Sequence, residues 1–106
     1  MNKRIKKIWL KALRSAKYKQ VAGHLKVVDC VNNARYCCLG VLKECMGEKI
    51  PMWSNLDRKE SKQGLLGKVS LKKAGLTNSI QEKLAGFNDH SEWSFKKIAD
   101  WIEKNL

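Results

Sequence analysis

The sequence predicts a small α+β domain in which a two-stranded antiparallel hairpin packs with four or five helices. Three observations predict it. Residues 3–18 carry one apolar stripe at helical spacing, with cations on the opposite side. Residues 24–37 hold a short β-branched run, a polar turn and a second short run, the pattern of a hairpin. The last third divides into short apolar periods punctuated by capping Ser and terminating Gly residues. A chain of 106 residues accommodates one domain, and a hydrophobic share of 43% suits a folded core rather than disorder. The expected organisation is a helix–hairpin–helix core over 1–46, a loop over 47–69 and a helical layer over 70–106.

In the first helix Ile5, Ile8, Trp9, Ala12, Leu13 and Ala16 recur three, four and seven residues apart. Lys3, Lys7, Lys11 and Arg14 fall one turn apart on the other side, where like charges repel slightly. Tyr18-Lys19-Gln20 leaves the helix, and Gly23 lets the chain turn. Leu25–Val28 reads as a strand, Asp29–Ala34 with Asn32-Asn33 as the turn, and Arg35–Cys37 as the partner strand. In the stretch Arg35-Tyr36-Cys37-Cys38-Leu39-Gly40-Val41-Leu42 six of the eight residues are apolar or sulfur-bearing, without alternation, so both of its faces should be buried. Gly40 marks a place where another backbone can approach closely. The chain should turn at Cys38 into a helix over Leu39–Met46, ended by Gly47.

Glu48 to Gly67 is polar and loop-like, with Pro51, Gly64 and a charged run from Asp57 to Lys62; Trp53 reads as an anchor pinning it. Ser70–Leu76 makes one or two helical turns closed by Gly75. Ser79 with Glu82 fits a capping box, and Ile80, Leu84 and Phe87 follow at helical spacing. Asn88-Asp89-His90 breaks that helix. Ser94 caps the last one, where Phe95, Ile98, Ala99, Ile102 and Leu106 share a face.

The formal net charge is +12, and its distribution is lopsided. Residues 1–26 hold seven Lys, two Arg and no acid, so +9 lies there and +3 in the remaining 80 residues. Such a field favours anionic partners: nucleic acid, nucleotides or acidic surfaces. No apolar run reaches membrane-spanning length and no leader pattern is present, so a cytoplasmic protein with no membrane partner is expected. The four cysteines, Cys30, Cys37, Cys38 and Cys45, are expected to be reduced, buried and metal-free. Adjacent Cys37 and Cys38 would point to opposite faces of a strand, and neither His24 nor His90 stands at ligand spacing from them. Self-association is left open.

Catalytic signatures are scarce: there is no glycine-rich phosphate loop, paired-histidine metal motif or nucleophile elbow. No catalytic residue, metal or cofactor is assigned, and binding is favoured over catalysis. Arg14, Lys17, Lys19 and Arg35 supply cations near the end of the first helix and the start of the central strand. Tyr18 and Tyr36 can stack on a base, while Gln20 and Asn88 can read its polar edges. Hairpin packing on the helix would set Arg14 and Arg35 at one rim with Tyr36 between them. The plainer reading makes both tyrosines half-buried and lets Gln20 satisfy hairpin backbone.

Three blocks carry a resemblance: Ala12-Leu13-Arg14-Ser15-Ala16-Lys17-Tyr18-Lys19-Gln20, the central Arg35–Leu42 stretch, and Phe87-Asn88-Asp89 followed by Ser94-Phe95-Lys96-Lys97-Ile98-Ala99-Asp100-Trp101-Ile102-Glu103. In this order they resemble a family of small phage-borne and prophage-borne proteins, with Cys-Cys-Leu-Gly-Val-Leu the specific part. The chain departs from it at Ala16, where relatives often have glycine, and at Lys43, where they often have cysteine. The resemblance implies a phage accessory protein acting in the host cytoplasm and brings no established reaction. The expectation is a non-catalytic counter-defence sponge that sequesters a small anionic nucleotide, a cyclic nucleotide or an ADP-ribose derivative. Its rivals are a nucleic-acid binder using the Lys3–Lys7–Lys11 row and a basic inhibitor of a host defence complex. A closed basic pocket favours the first, an open basic stripe the second.

Overall fold

A computed structural model of the chain describes residues 1–31, 33–48, 50 and 65–106. Among these residues five helices and a three-stranded sheet form an α+β domain. Helix α1 (Lys3–Arg14) opens where the Asn2 side chain accepts the Ile5 N–H at 3.0 Å. It buries Trp9 and Leu13. It ends short of the expected Tyr18, because the Ser15 backbone is extended and its hydroxyl donates to the Ala12 carbonyl at 2.7 Å. The Ser15 N–H also reaches that carbonyl, at 3.3 Å, so the helix end is closed by both groups of one residue.

The sheet contains β1 (Lys19–Gln20), β2 (Lys26–Val28) and β3 (Ala34–Tyr36), in the order β1-β3-β2. The hairpin of β2 and β3 is antiparallel, with Val27 opposite Arg35. Strand β1 corrects the two-stranded expectation: it lies parallel to β3, Lys19 beside Arg35 and Gln20 beside Tyr36. Two residues show no periodicity, so only the pairing, extended by Val21 N–H to Tyr36 C=O at 2.8 Å, reveals the strand. In the hairpin turn the Asp29 carboxylate accepts the Asn33 and Val31 N–H groups, each at 2.9 Å. The bond from Asn33 holds its pKa below the usual carboxylate value.

Strand β3 stops at Tyr36 rather than Cys37. Cys37 caps helix α2 (Cys38–Cys45), its sulfur accepting the Gly40 N–H at 3.4 Å. The adjacent thiols therefore mark a helix start, not two faces of a strand, and both are buried. Helix α2 is the centre of the core: Cys38, Leu39, Gly40, Val41 and Leu42 are buried. A Cβ on Gly40 would collide with the Leu25 carbonyl, so glycine is what lets α2 lie against the chain entering β2. Trp9 Nε1 of α1 donates to the Cys38 carbonyl at 2.9 Å inside this core.

Helices α3 (Lys68–Ala74), α4 (Asn78–Asp89) and α5 (Phe95–Asn105) complete the domain. Helix α3 starts two residues before the expected Ser70, and Gly75 closes it at φ 74°. Thr77, not Ser79, caps α4 by accepting the Ile80 N–H at 3.2 Å; Glu82 instead accepts from the Asn78 amide at 3.3 Å. Ser94 caps α5 as expected, and Phe95, Ile98, Ala99 and Ile102 are buried. Helix α5 packs on α1, and Asn2 N–H bonds Ala74 C=O at 2.9 Å, joining the start of α1 to the end of α3.

All four cysteines are free; Cys37 and Cys38 are buried, but Cys30, in the hairpin turn, is exposed and Cys45, at the end of α2, is half-buried, contrary to the expected burial. Pro51, Trp53, Gly64 and the Asp57–Lys62 run lie outside the described residues. Among the described residues no helix is long and apolar enough to cross a membrane.

Candidate functional site

The residues expected to bind a ligand separate into three groups. The first sits on the sheet and α2. Tyr36 is buried, and its hydroxyl donates to Glu44 Oε1 at 3.1 Å. Burial, then that carboxylate, pushes its pKa to about 12. Tyr18 meets Tyr36 edge to face at 5.1 Å, and Lys17 Nζ stands 5.5 Å from the Tyr18 ring centre. Lys26 stands over Tyr36 at 5.5 Å and pairs with Glu44 at 3.5 Å. These rings are engaged by protein groups. Lys19 and Arg35, adjacent in the parallel register, are exposed on the outer side of the sheet.

The second group joins Gln20 to Asn88. The Gln20 amide donates to Asn88 Oδ1 at 2.8 Å and to the Trp93 carbonyl at 2.7 Å. Asn88, also buried, donates to the Val21 carbonyl and to Asp89 Oδ1, both at 2.8 Å, and its oxygen accepts the Cys38 N–H at 3.3 Å. Asp89 Oδ1 further accepts the Gly23 N–H at 2.9 Å. The network ties β1, α2 and α4 together where their backbone groups lack helix or sheet partners. A cleft of ≈ 280 Å³ opens beside it, lined by Gln20, Asn88, Asp89, Glu92 and Trp93 among others; no described Lys or Arg lines it.

Arg14 stands apart from both groups. Its guanidinium reaches α5, 2.9 Å from Asp100 and 2.9 Å from Glu103, and these bonds, Glu103 first, raise its pKa. The rest of the exposed face of α1 carries Lys3, Arg4, Lys7 and Lys11 around Ile8, which is 46% exposed. Among the described residues no carboxylate lies within ion-pair distance of these four cations.

A groove of ≈ 420 Å³ lies on the other side of Arg14's partners, lined by Trp93, Lys97, Asp100, Trp101, Lys104 and Asn105. Phe87 stacks on Trp93 at 4.0 Å and 9°, and meets Trp101 edge to face at 5.2 Å. Lys97 stands 4.5 Å from the Trp93 ring centre and Lys83 5.7 Å from that of Trp101. The sequence signal for this groove is Lys97, Trp101 and Lys104 at helical spacing opposite the apolar stripe, a pattern that an ordinary solvated helix face shares.

Among the described residues the buried thiols and the imidazoles are not brought together. The Cys38 thiol donates to the Leu84 carbonyl at 3.7 Å, and burial pushes the Cys37 thiol to about 12 and the Cys38 thiol well up. His24 and His90, the two imidazoles of the chain, are exposed. No group of three metal-ligating side chains occurs among the described residues.

The model of a family described as a domain of unknown function, DUF8296, matches residues 1–63. That span takes in α1, the whole sheet and α2, more than half of the chain. The chain belongs to DUF8296. No curated protein and no solved structure matches it. The DUF8296 match includes the cationic face of α1 and the Gly40 contact; α3, α4, α5 and the tryptophan groove lie beyond it.

Proposed function

We propose that this protein is a non-catalytic nucleic-acid binder that engages the phosphate backbone with the exposed face of α1. One observation carries the reading. Lys3, Arg4, Lys7 and Lys11 share that face with no acidic partner among the described residues, in a helix that pays for them twice. Cations in the first turn oppose the helix dipole, and like charges four residues apart repel by about 0.2–0.5 kcal/mol per pair. Burial of Trp9 and Leu13 holds the helix despite this. A local arrangement that works against the fold is expected where function demands it. At 1.5 Å per residue, Lys3, Lys7 and Lys11 recur about every 6 Å along one side of the helix, close to the spacing of successive phosphates on an extended strand.

The sequence expectation of a closed basic pocket for a small anionic nucleotide has less support. Arg14 is engaged by two carboxylates, Tyr36 by Glu44, and Gln20 by Asn88 and Trp93, while the nearby cleft carries acids. A cytoplasmic, phage-accessory role in a host cell fits the resemblance and belongs to the same proposal.

The test is fluorescence anisotropy with a labelled oligonucleotide of about 12 nucleotides, a length within single-module site sizes. Four phosphate contacts to a single strand predict a log–log salt slope of about −3, or roughly fiftyfold weaker binding between about 50 and 200 mM salt. Lys7→Glu with Lys11→Glu should abolish binding in that range. A wild-type protein that binds neither strand nor duplex at low salt would refute the reading.

A further inference from the structure

We infer that the tryptophan groove of α5 is a base-stacking subsite and that the nucleic acid bound is single-stranded. The inference rests on the reading above and deepens it. The groove has an aromatic floor, Trp93 and Trp101 braced by Phe87, and a cationic rim, Lys97 and Lys104 with Lys83 over Trp101. Flat rings bordered by ammonium groups match a nucleotide, whose base stacks and whose phosphate needs a cation.

The cations within reach of the tryptophans already sit over them, at 4.5 and 5.7 Å. A base entering the groove takes over that contact and turns the ammonium toward the phosphate beside it. The only carboxylate lining the groove among the described residues is Asp100, and Arg14 neutralises it at 2.9 Å. That same ion pair sets the groove next to the cationic face of α1. A strand crossing the seam therefore meets Lys3, Lys7 and Lys11 with its phosphates and the groove with one or two bases. Bases stacked inside a duplex cannot enter.

The volume, ≈ 420 Å³, admits a base and its sugar. A free mononucleotide would fill the groove but leave the α1 face without a partner, so the strand is the committed ligand.

The experiment compares a single strand of about 12 nucleotides, the duplex of the same sequence and free AMP, by anisotropy and competition at low salt. The strand is expected to bind at least tenfold tighter than the duplex, and AMP to compete only weakly. Trp101→Leu should weaken the strand about five- to a hundredfold, the range for losing one stacked base, and leave the duplex unchanged. Should Trp101→Leu fail to fold, Lys97→Glu with Lys104→Glu, both exposed, carries the test: it must lower strand affinity more than duplex affinity. Equal binding of strand and duplex, equal losses for both, or AMP binding as tightly as the strand would each overturn the subsite while the α1 reading stands. Absence of any nucleic-acid binding would overturn both.

Discussion

Arg14 of α1 and Asp100 of α5 form an ion pair of 2.9 Å at the seam between the cationic helix face and the tryptophan groove. Glu103 approaches the same guanidinium nitrogen at 2.9 Å. The residue that the sequence marks for an anionic ligand thus bridges two helices that their apolar faces already pack together. Both carboxylates are well exposed, so the pairing is screened by salt and adds little to stability. Its larger consequence is placement.

Removing the carboxylates should release the cation. Asp100→Asn with Glu103→Gln is expected to tighten nucleic-acid binding about two- to fivefold at low salt, the scale of one exposed charge contact. Arg14→Ala should weaken it less than Lys11→Ala does. Anisotropy titrations of the three variants check this, and an Arg14→Ala loss equal to that of Lys11→Ala would contradict it.

Gly40→Ala should destabilise the fold without touching any candidate ligand contact. The new methyl meets the Leu25 carbonyl, a backbone atom that cannot rotate away, and α2 must shift within a close-packed core. The expected loss is about 1–3 kcal/mol or more, measured by urea unfolding. An unchanged midpoint would mean that α2 does not lie where the fold puts it.

Asn88→Ala tests whether that residue is structural. It strips partners from the Cys38 N–H, the Val21 carbonyl and the Gln20 amide at once. Buried groups left unpaired cost about 1–3 kcal/mol each, so a loss on the order of 3 kcal/mol is expected after partial rescue by water. Normal stability with impaired ligand binding would instead return Asn88 to the ligand-contacting set.

The cysteines should differ sharply toward an alkylating reagent. Cys30, exposed in the hairpin turn, should label first and half-buried Cys45 next; Cys37 and Cys38 should resist until the protein unfolds. Mass mapping after timed labelling reads this order. Rapid modification of Cys38 in folded protein would contradict the core assignment.

Alkaline pH should unfold the domain through the same groups. Folding raises the Cys37 thiol from 9.0 to about 12, chiefly by burial, so the folded state holds a proton that the unfolded chain releases. Tyr36, raised from 10.0 to about 12 by burial and Glu44, acts in the same direction. Their stabilisation is complete below the lower values and is lost as pH climbs toward about 12. Thermal melts across this window should show Tm falling, with Tyr36→Phe reducing part of the slope. A flat profile would mean that neither group is shielded as described.

The sequence by itself determined the α+β class, the amphipathic α1, the hairpin, the close approach at Gly40 and the Ser94-capped terminal helix. Each of these is written in local terms: a period of 3.6, a turn signal, a glycine within an apolar run, a capping side chain. Only the tertiary structure decided the rest. Strand β1 exists because β3 offers it an edge; two residues carry no pattern of their own. Thr77 rather than Ser79 became the cap because the helix starts where Gly75 releases the chain from α3. The sequence could name Arg14, Gln20, Tyr36 and Asn88 as groups able to bind, since their chemistry is intrinsic. It could not say that Asp100, Trp93, Glu44 and Val21 already meet them, because those partners lie 8 to 86 positions away. Electrostatic and hydrogen-bonding demand is local, whereas its satisfaction depends on which distant elements the apolar faces bring together.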